Sequence, residues 1–204
     1  AISNVSLLLD MGCDIDAISK RSHNYGKSPL FFAAGKVRED VIHLLLDRGA
    51  NLLIVNNRGQ SVYSIVCSQV GIGSELVRRI RRMEEEQQQQ NLRNNGTDNG
   101  WVDYSKTHSD GNTYGDLDLR FLRRPLTDND VVEDGVVNPS TRGSSNTLFG
   151  LRKAAGTKIP SVLPAFLEDH PSLTLTELDC TLYDGRCALH MACWTGAISN
   201  VSLL

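Results

Sequence analysis

The sequence holds no apolar run approaching 18 residues, so no membrane-spanning helix is expected. Its start lacks a basic stretch followed by an apolar segment and a small-residue cleavage site, so no secretory signal is read there. It does not begin with Met either, which leaves room for a segment before Ala1. An excess of one charge is also missing. The 21 Lys and Arg against 24 Asp and Glu leave a net charge of −3, too little for a global pull toward nucleic acid or an anionic membrane. No Ser-His-Asp set, nucleotide loop or HExxH is found, so neither an enzyme nor a bound cofactor is expected. The five cysteines (Cys13, Cys67, Cys180, Cys187, Cys193) are an odd number set among apolar residues. That fits buried thiols in a reducing compartment, cytoplasmic or nuclear, better than a disulfide framework.

What is present falls into three textures. Residues 1–83 are dense in Leu, Val and Ile at helical spacing. Residues 84–144, from "EEEQQQQNLRNNGTDNG" onward, are rich in Gln, Asn, Asp, Gly and Ser. Such a composition buries too little to offset its ordering entropy and reads as a flexible polar linker. Two apolar islands within it, Trp101–Tyr104 and Leu117–Leu122, are candidates to dock on a neighbouring surface. Residues 145–204 return to helical texture.

An internal repeat decides the fold. In Gly26–Asn56, Ser28 and Pro29 stand at the N-cap and first position of a short helix. Leu30, Ala33 and Ala34 form its apolar stripe. Val41, Ile42, Leu44, Leu45 and Leu46 supply the buried face of a second helix, which Gly49 ends in the left-handed conformation. The grammar recurs in Asn57–Ile80, where Gly59, Tyr63 and Val77 repeat Gly26, Leu30 and Leu44 at an offset of 33 residues. In Tyr183–Leu204 the same roles fall to Gly185, Leu189, Ala192 and Leu203. Asn146–Pro171 is a degenerate version with Leu151, Ala154, Ala155, Phe166 and Leu167 on its inner faces.

These units resemble ankyrin repeats, whose first helix reads T-P-L-H-x-A-A and whose second ends L-L-L-x-x-G-A-D. The first signature stands here as "CALHMAC" (Cys187–Cys193), "SPLFFAA" (Ser28–Ala34) and the weaker "SVYSIVC" (Ser61–Cys67). The second stands as "LLLDRGAN" (Leu44–Asn51). The resemblance covers about 140 of 204 residues and leaves out the linker. Departures are Phe31 and Ser64 where the family has His, and Val37 where it has Gly. The implied fold is all-α: an ankyrin-like helix–turn–helix repeat stack, an α-solenoid, with β-hairpin-like loops.

The octapeptide "AISNVSLL" both opens the chain (Ala1–Leu8) and closes it (Ala197–Leu204). In the Tyr183 unit it is a second helix cut short, and residues 1–20 supply the missing remainder. The expected order in space is 145–182, then 183–204 completed by 1–20, then 21–56, then 57–83. The chain reads as a permuted array, or as one period plus eight residues of a tandem protein. Four repeats at about 10 Å each span about 40 Å. A flexible linker of about 60 residues has a root-mean-square reach of about 40–45 Å, so one molecule can close its own array. Two copies of one helix then compete for one slot, and exchange between molecules would be domain swapping.

The remaining constellations have plain structural readings beside functional ones. Cys187, His190 and Cys193 are spaced for a metal, but no second Cys/His pair completes a tetrahedron, and His190 falls on the family's structural His. "GIGSEL" (Gly71–Leu76) reads as a turn between helices. Asp14/Asp16 and Glu39/Asp40 lie at a hairpin and a helix start. Arg78, Arg79, Arg81 and Arg82 complement a helix C-terminus; together with Arg120–Arg124 they carry the weaker reading, contact with nucleic acid or another anionic partner.

The resemblance implies a non-enzymatic scaffold that binds a protein partner along a concave face, or the accessory recruitment domain of a larger enzyme. Residues expected on that face are Trp194, Thr195, Met191, Phe32 and Lys36. Asp16, Ser19, Arg21, Asn24, Tyr25, Asn56, Arg58 and Tyr183 are expected at the hairpin tips. Trp194 has two readings of equal standing: an exposed binding anchor, or a ring packed under a hairpin or covered by Trp101–Tyr104.

Overall fold

A hydrophobic stripe every third or fourth residue, repeated in short segments, yields short helices that bury nothing alone and must stack. The computed structural model describes residues 4–20, 24–95, 100–104, 142–181 and 185–196. Its elements in chain order are α1 (Asn4–Asp10), α2 (Pro29–Ala34), α3 (Glu39–Asp47), β1 (Ile54–Val55), α4 (Val62–Val70), α5 (Glu75–Asn95), β2 (Val102–Asp103), α6 (Arg142–Ala155), α7 (Val162–Asp169), α8 (Leu175–Leu178) and α9 (Ala188–Thr195).

Helices pair as α6 with α7, α9 with α1, α2 with α3 and α4 with α5. The first members of the pairs form a row in which α9 lies between α6 and α2, and α2 lies between α9 and α4. The first and last helices among the described residues, α1 and α9, are thus neighbours. One hydrophobic core runs through the row, from Leu151 and Ala155 through Leu189, Leu30 and Ile42 to Val66 and Ile80. No helix among the described residues is long and apolar enough to cross a membrane.

Local chemistry sets the helix ends. All six residues of α2 are buried, with Pro29 at the first turn. Ser28 holds the extended N-cap conformation, but its hydroxyl makes no cap, and its carbonyl instead accepts the Phe31 N–H at 3.0 Å. In α4 the cap is complete: Ser61 Oγ accepts the Ser64 N–H at 3.2 Å. Gly49 closes α3 at φ +86°. Val41, Ile42, Leu45 and Leu46 are buried on α3, whereas Leu44 is only half-buried. Leu163 carries the buried position of α7, with Phe166 and Leu167 half-buried beside it.

The linker boundaries differ from expectation. Helix α5 does not stop near residue 83 but continues to Asn95. Glu84–Gln90 are strong helix formers, and Gln87 ties this extension to the preceding loop. Its Oε1 accepts the Leu52 N–H and its Nε2 donates to the Ala50 carbonyl, both at 2.9 Å. Helix α6 likewise begins at Arg142, ahead of 145. Within the former linker, Trp101–Tyr104 is an ordered strand segment on β1. Leu117–Leu122 and Arg120–Arg124 lie outside the described residues.

The loops are hairpin-like. Ser19 N–H donates to the Lys27 carbonyl at 2.9 Å, and Asn56 N–H to Gln60 at 3.0 Å. Residues 4–20 are joined to the far end of the chain by their backbone. Asp14 N–H donates to the Asp179 carboxylate at 3.0 Å, and Lys20 N–H donates to Gly185 at 3.1 Å. The slot beside α9 is filled by α1, with Val5 and Leu8 fully buried. Ala197–Leu204 lie outside the described residues.

Candidate functional site

On α9 the apolar positions Ala188, Leu189, Ala192 and Cys193 turn inward, which leaves Trp194 39% exposed. The adjacent α2 supplies its neighbours. Phe32 meets the Trp194 ring edge to face at 6.1 Å and the His190 ring at 4.9 Å. Lys36 Nζ stands 4.3 Å from the Trp194 ring centre, within range of a cation–π attraction. The three residues make a small platform: an indole face, an ammonium over it, and an aromatic floor.

Phe32 is that floor and not an exposed contact; it is 3% exposed. It is buried because α9, distant in sequence, lays Trp194 and His190 across it. His190 is buried and bridges two repeats. Its Nδ1 accepts the Cys187 N–H at 3.1 Å, which leaves Nε2–H to donate to the Lys27 carbonyl at 3.2 Å. The Cys187 thiol lies 3.0 Å from the same Nδ1. Burial pushes the Cys187 thiol up to about 12 and raises Cys13 and Cys193 as well. All five cysteines are free thiols; with pKa values raised, these three stay protonated and inert. No group of three His, Cys, Asp or Glu suited to a metal ion occurs among the described residues.

The other expected contacts divide by what they already touch. Met191 is half-buried beside Gly156, whose added Cβ would lie 3.6 Å from Met191 Cβ. Thr195 turns its hydroxyl back onto its own helix, donating to the Met191 carbonyl at 3.0 Å. Asp16 accepts the Asn51 N–H at 2.9 Å, and burial raises its carboxyl above the usual range. It is a brace between loops. Asn24 Oδ1 accepts from Lys27 Nζ at 3.1 Å. Tyr25 packs edge to face on Tyr104. Ser19 and Asn56 are fully buried, and Asn56 Oδ1 accepts the Arg58 and Gln60 N–H groups as a turn former. The Arg58 side chain is exposed. Arg21 and Tyr183 lie outside the described residues.

Val102 and Asp103, within the Trp101–Tyr104 island, pair with β1. The Arg cluster of α5 is largely engaged. Arg78 pairs with Glu75 at 3.0 Å, Arg81 with Glu85 at 3.1 Å, and Arg79 with both Asp47 and His43.

Against known proteins, the Ankyrin repeat family matches residues 25–57. That segment is an ankyrin repeat. It contains α2 and α3 with the Gly49 stop and the β1 loop. The helices around it pack in an all-α arrangement consistent with an ankyrin-like repeat stack. Among curated relatives, the chain is 34% identical over 77 residues to the "Ankyrin repeat, SAM and basic leucine zipper domain-containing protein 1" of Otolemur garnettii. It is 32% identical over 77 residues to the Homo sapiens protein of that name, and 35% over the same length to that of Dasypus novemcinctus. Each match covers 38% of this chain and 15% of the relative. The chain therefore spans about one seventh of the length of the curated relatives it matches. No solved structure matches.

Proposed function

We propose that this chain is a non-enzymatic binding module whose ankyrin face receives a protein partner at the Trp194–Lys36–Phe32 platform. Ankyrin repeats are in general protein–protein interaction modules. The observation that carries the reading is the Lys36 ammonium held 4.3 Å over a partly exposed indole. An aromatic body with a polar edge is the commonest anchor at protein interfaces. Rigid stacked helices lose little freedom on binding, which favours affinity.

The Lys36 ammonium supports a partner that is acidic there. The row-forming helices α2, α4, α6 and α9 contain no Asp or Glu, although the chain has 24. Their partners α1, α3, α5 and α7 all carry carboxylates. The favoured ligand is a segment with an aromatic or aliphatic residue for the platform and a carboxylate for Lys36. The decisive experiment pans random displayed peptides on the whole chain, with Lys36→Glu and Trp194→Ala as counter-selections. Peptides kept by the wild type and lost on both variants are expected to be rich in Asp or Glu beside an apolar residue. Failure of every peptide to distinguish the wild type from both variants would overturn the reading.

A second reading is favoured by a separate observation. The slot beside α9 is filled by a helix from the opposite end of the chain, and that helix's sequence recurs in Ala197–Leu204. Exchange of this helix between molecules would give self-association by domain swapping. Mass measured across a dilution series tests it: a strict monomer at high concentration removes the swap.

A further inference from the structure

Two cations leave the turn between α2 and α3 on either side of Val37, and neither meets a carboxylate among the described residues. Lys36 stands over the Trp194 indole. Arg38 lies along the end of the same helix, α9. A Cβ added at Gly196, two residues past Trp194, would meet Arg38 Cδ at 2.8 Å and Nε at 2.9 Å. Gly196 ends α9 in the left-handed conformation at φ +65°, and its bare face is the bed on which the Arg38 stem rests. The Nε so placed is buried with no hydrogen-bond partner. Packing, not bonding, holds this guanidinium. The acids next to it in sequence do not serve it. Asp40 Oδ1 accepts the Val41 N–H at 3.2 Å, and Glu39 forms no ion pair with either cation.

Other arginines are treated differently. Arg48, Arg78, Arg79 and Arg81 are each held by a carboxylate. The turn that carries Lys36 and Arg38 is also strained, with Val37 at φ +50°. A strained residue persists only where its surroundings fix it, and such residues gather at binding sites. A cation complements the C-terminal end of a helix, but that end carries only about half an elementary charge. Two full positive charges beside α9 leave an excess that the fold does not use.

We infer that Arg38 is a second ligand-binding residue of the Trp194 platform and sets its selectivity: the preferred partner segment carries two carboxylates beside its apolar residue. This rests on the platform reading given above. Lys36 takes one carboxylate and the Nη end of Arg38 takes the other, each as a charge-assisted hydrogen bond.

The test pans random displayed heptapeptides on the full chain, with Trp194→Ala and Lys36→Glu as counter-selections, and titrates the enriched peptides by fluorescence anisotropy. Peptides that need Trp194 are expected to carry two acidic residues. They should bind Arg38→Gln about fivefold more weakly than the wild type, the weight of one exposed charge pair. One of the two acid-to-amide changes in the peptide should cost as much on the wild type and nothing on Arg38→Gln. Arg38→Lys should recover most of the affinity. Thermal melts separate a purely structural role: a lowered Tm for Arg38→Gln with unchanged acid preference overturns the inference. Peptides that need Trp194 and Lys36 but carry a single acid, or bind Arg38→Gln as they bind the wild type, overturn it and leave the platform standing. The absence of any Trp194-dependent peptide removes both.

Discussion

The side-chain amide of Asn4 donates to the carbonyl of Ala155 at 3.2 Å, linking residues 151 apart in sequence. The same Nδ2 reaches the Thr157 carbonyl at 3.0 Å. Asn4 is the first residue of α1, and these carbonyls belong to the last residue of α6 and to the turn that follows it, where helix acceptors lack intrahelical partners. One buried side chain thus caps a helix of the neighbouring repeat.

Asn4→Ala is expected to destabilise the fold by about 1–3 kcal/mol, the cost of stranding buried acceptors. Its sequence counterpart, Asn200→Ala, is expected to change stability negligibly because Asn4 already fills the role. Urea denaturation of the two variants decides between the identical octads. Equal losses would mean that both copies share the slot.

Gln87→Ala should cost about 1–3 kcal/mol, because it frees the Leu52 N–H and the Ala50 carbonyl in one step. Gln87→Glu keeps the acceptor but presents an oxygen to the Ala50 carbonyl, so it should recover little. Circular dichroism melts of the two variants check both expectations. A neutral Gln87→Ala would mean that the extension of α5 is held by helix propensity alone.

These two residues mark where the sequence was legible and where it was not. The repeat register was readable because a 33-residue offset places Gly59 on Gly26 and Tyr63 on Leu30, and apolar spacing follows from it. The end of α5 was not. The Glu-Gln run has no apolar stripe, and its anchor is an amide bonded to backbone, which hydrophobic periodicity does not register. Phe32 was misplaced on the surface for a related reason. Nothing in Pro29–Ala34 reveals that Trp194 and His190, far along the chain, cover one side of it. Trp194 and Lys36 were both expected on one face from the repeat register, and the structure sets Lys36 Nζ 4.3 Å from the indole centre.

Val37 holds φ +50° while its N–H donates to the Ala34 carbonyl at 3.0 Å. A β-branched residue in this left-handed region is strained by about 1–2 kcal/mol. Replacement by Gly relieves the strain and forfeits part of the packing of a half-buried side chain. Val37→Gly is expected to raise stability by up to about 1 kcal/mol once both terms are counted. The control Val41→Gly, in the fully buried face of α3, should lose more than about 3 kcal/mol. Thermal melts of both proteins test the pair, and a loss at position 37 comparable to that at 41 would refute the strain.

Asp179 faces a different balance. Burial raises its carboxyl above the usual range and the Asp14 charge adds to this, while the Asp14 N–H it accepts pulls the other way. A carboxyl with a raised native pKa is disfavoured as the anion, so its penalty is full above that pKa. The penalty fades as pH falls through the native value to the ordinary aspartate range. Asp179→Asn retains an oxygen for the Asp14 N–H and removes the repulsion between the two carboxylates. The variant should be more stable than the wild type at neutral pH, by no more than about 1 kcal/mol given the partial exposure of the site. The advantage should shrink on acidification and vanish near about pH 4, where the wild-type carboxyl is itself protonated. Denaturation midpoints of the two proteins across this range give the difference directly. An advantage that grows with acid would reverse the sign and show that the anion is favoured at this joint between the first and last thirds of the chain.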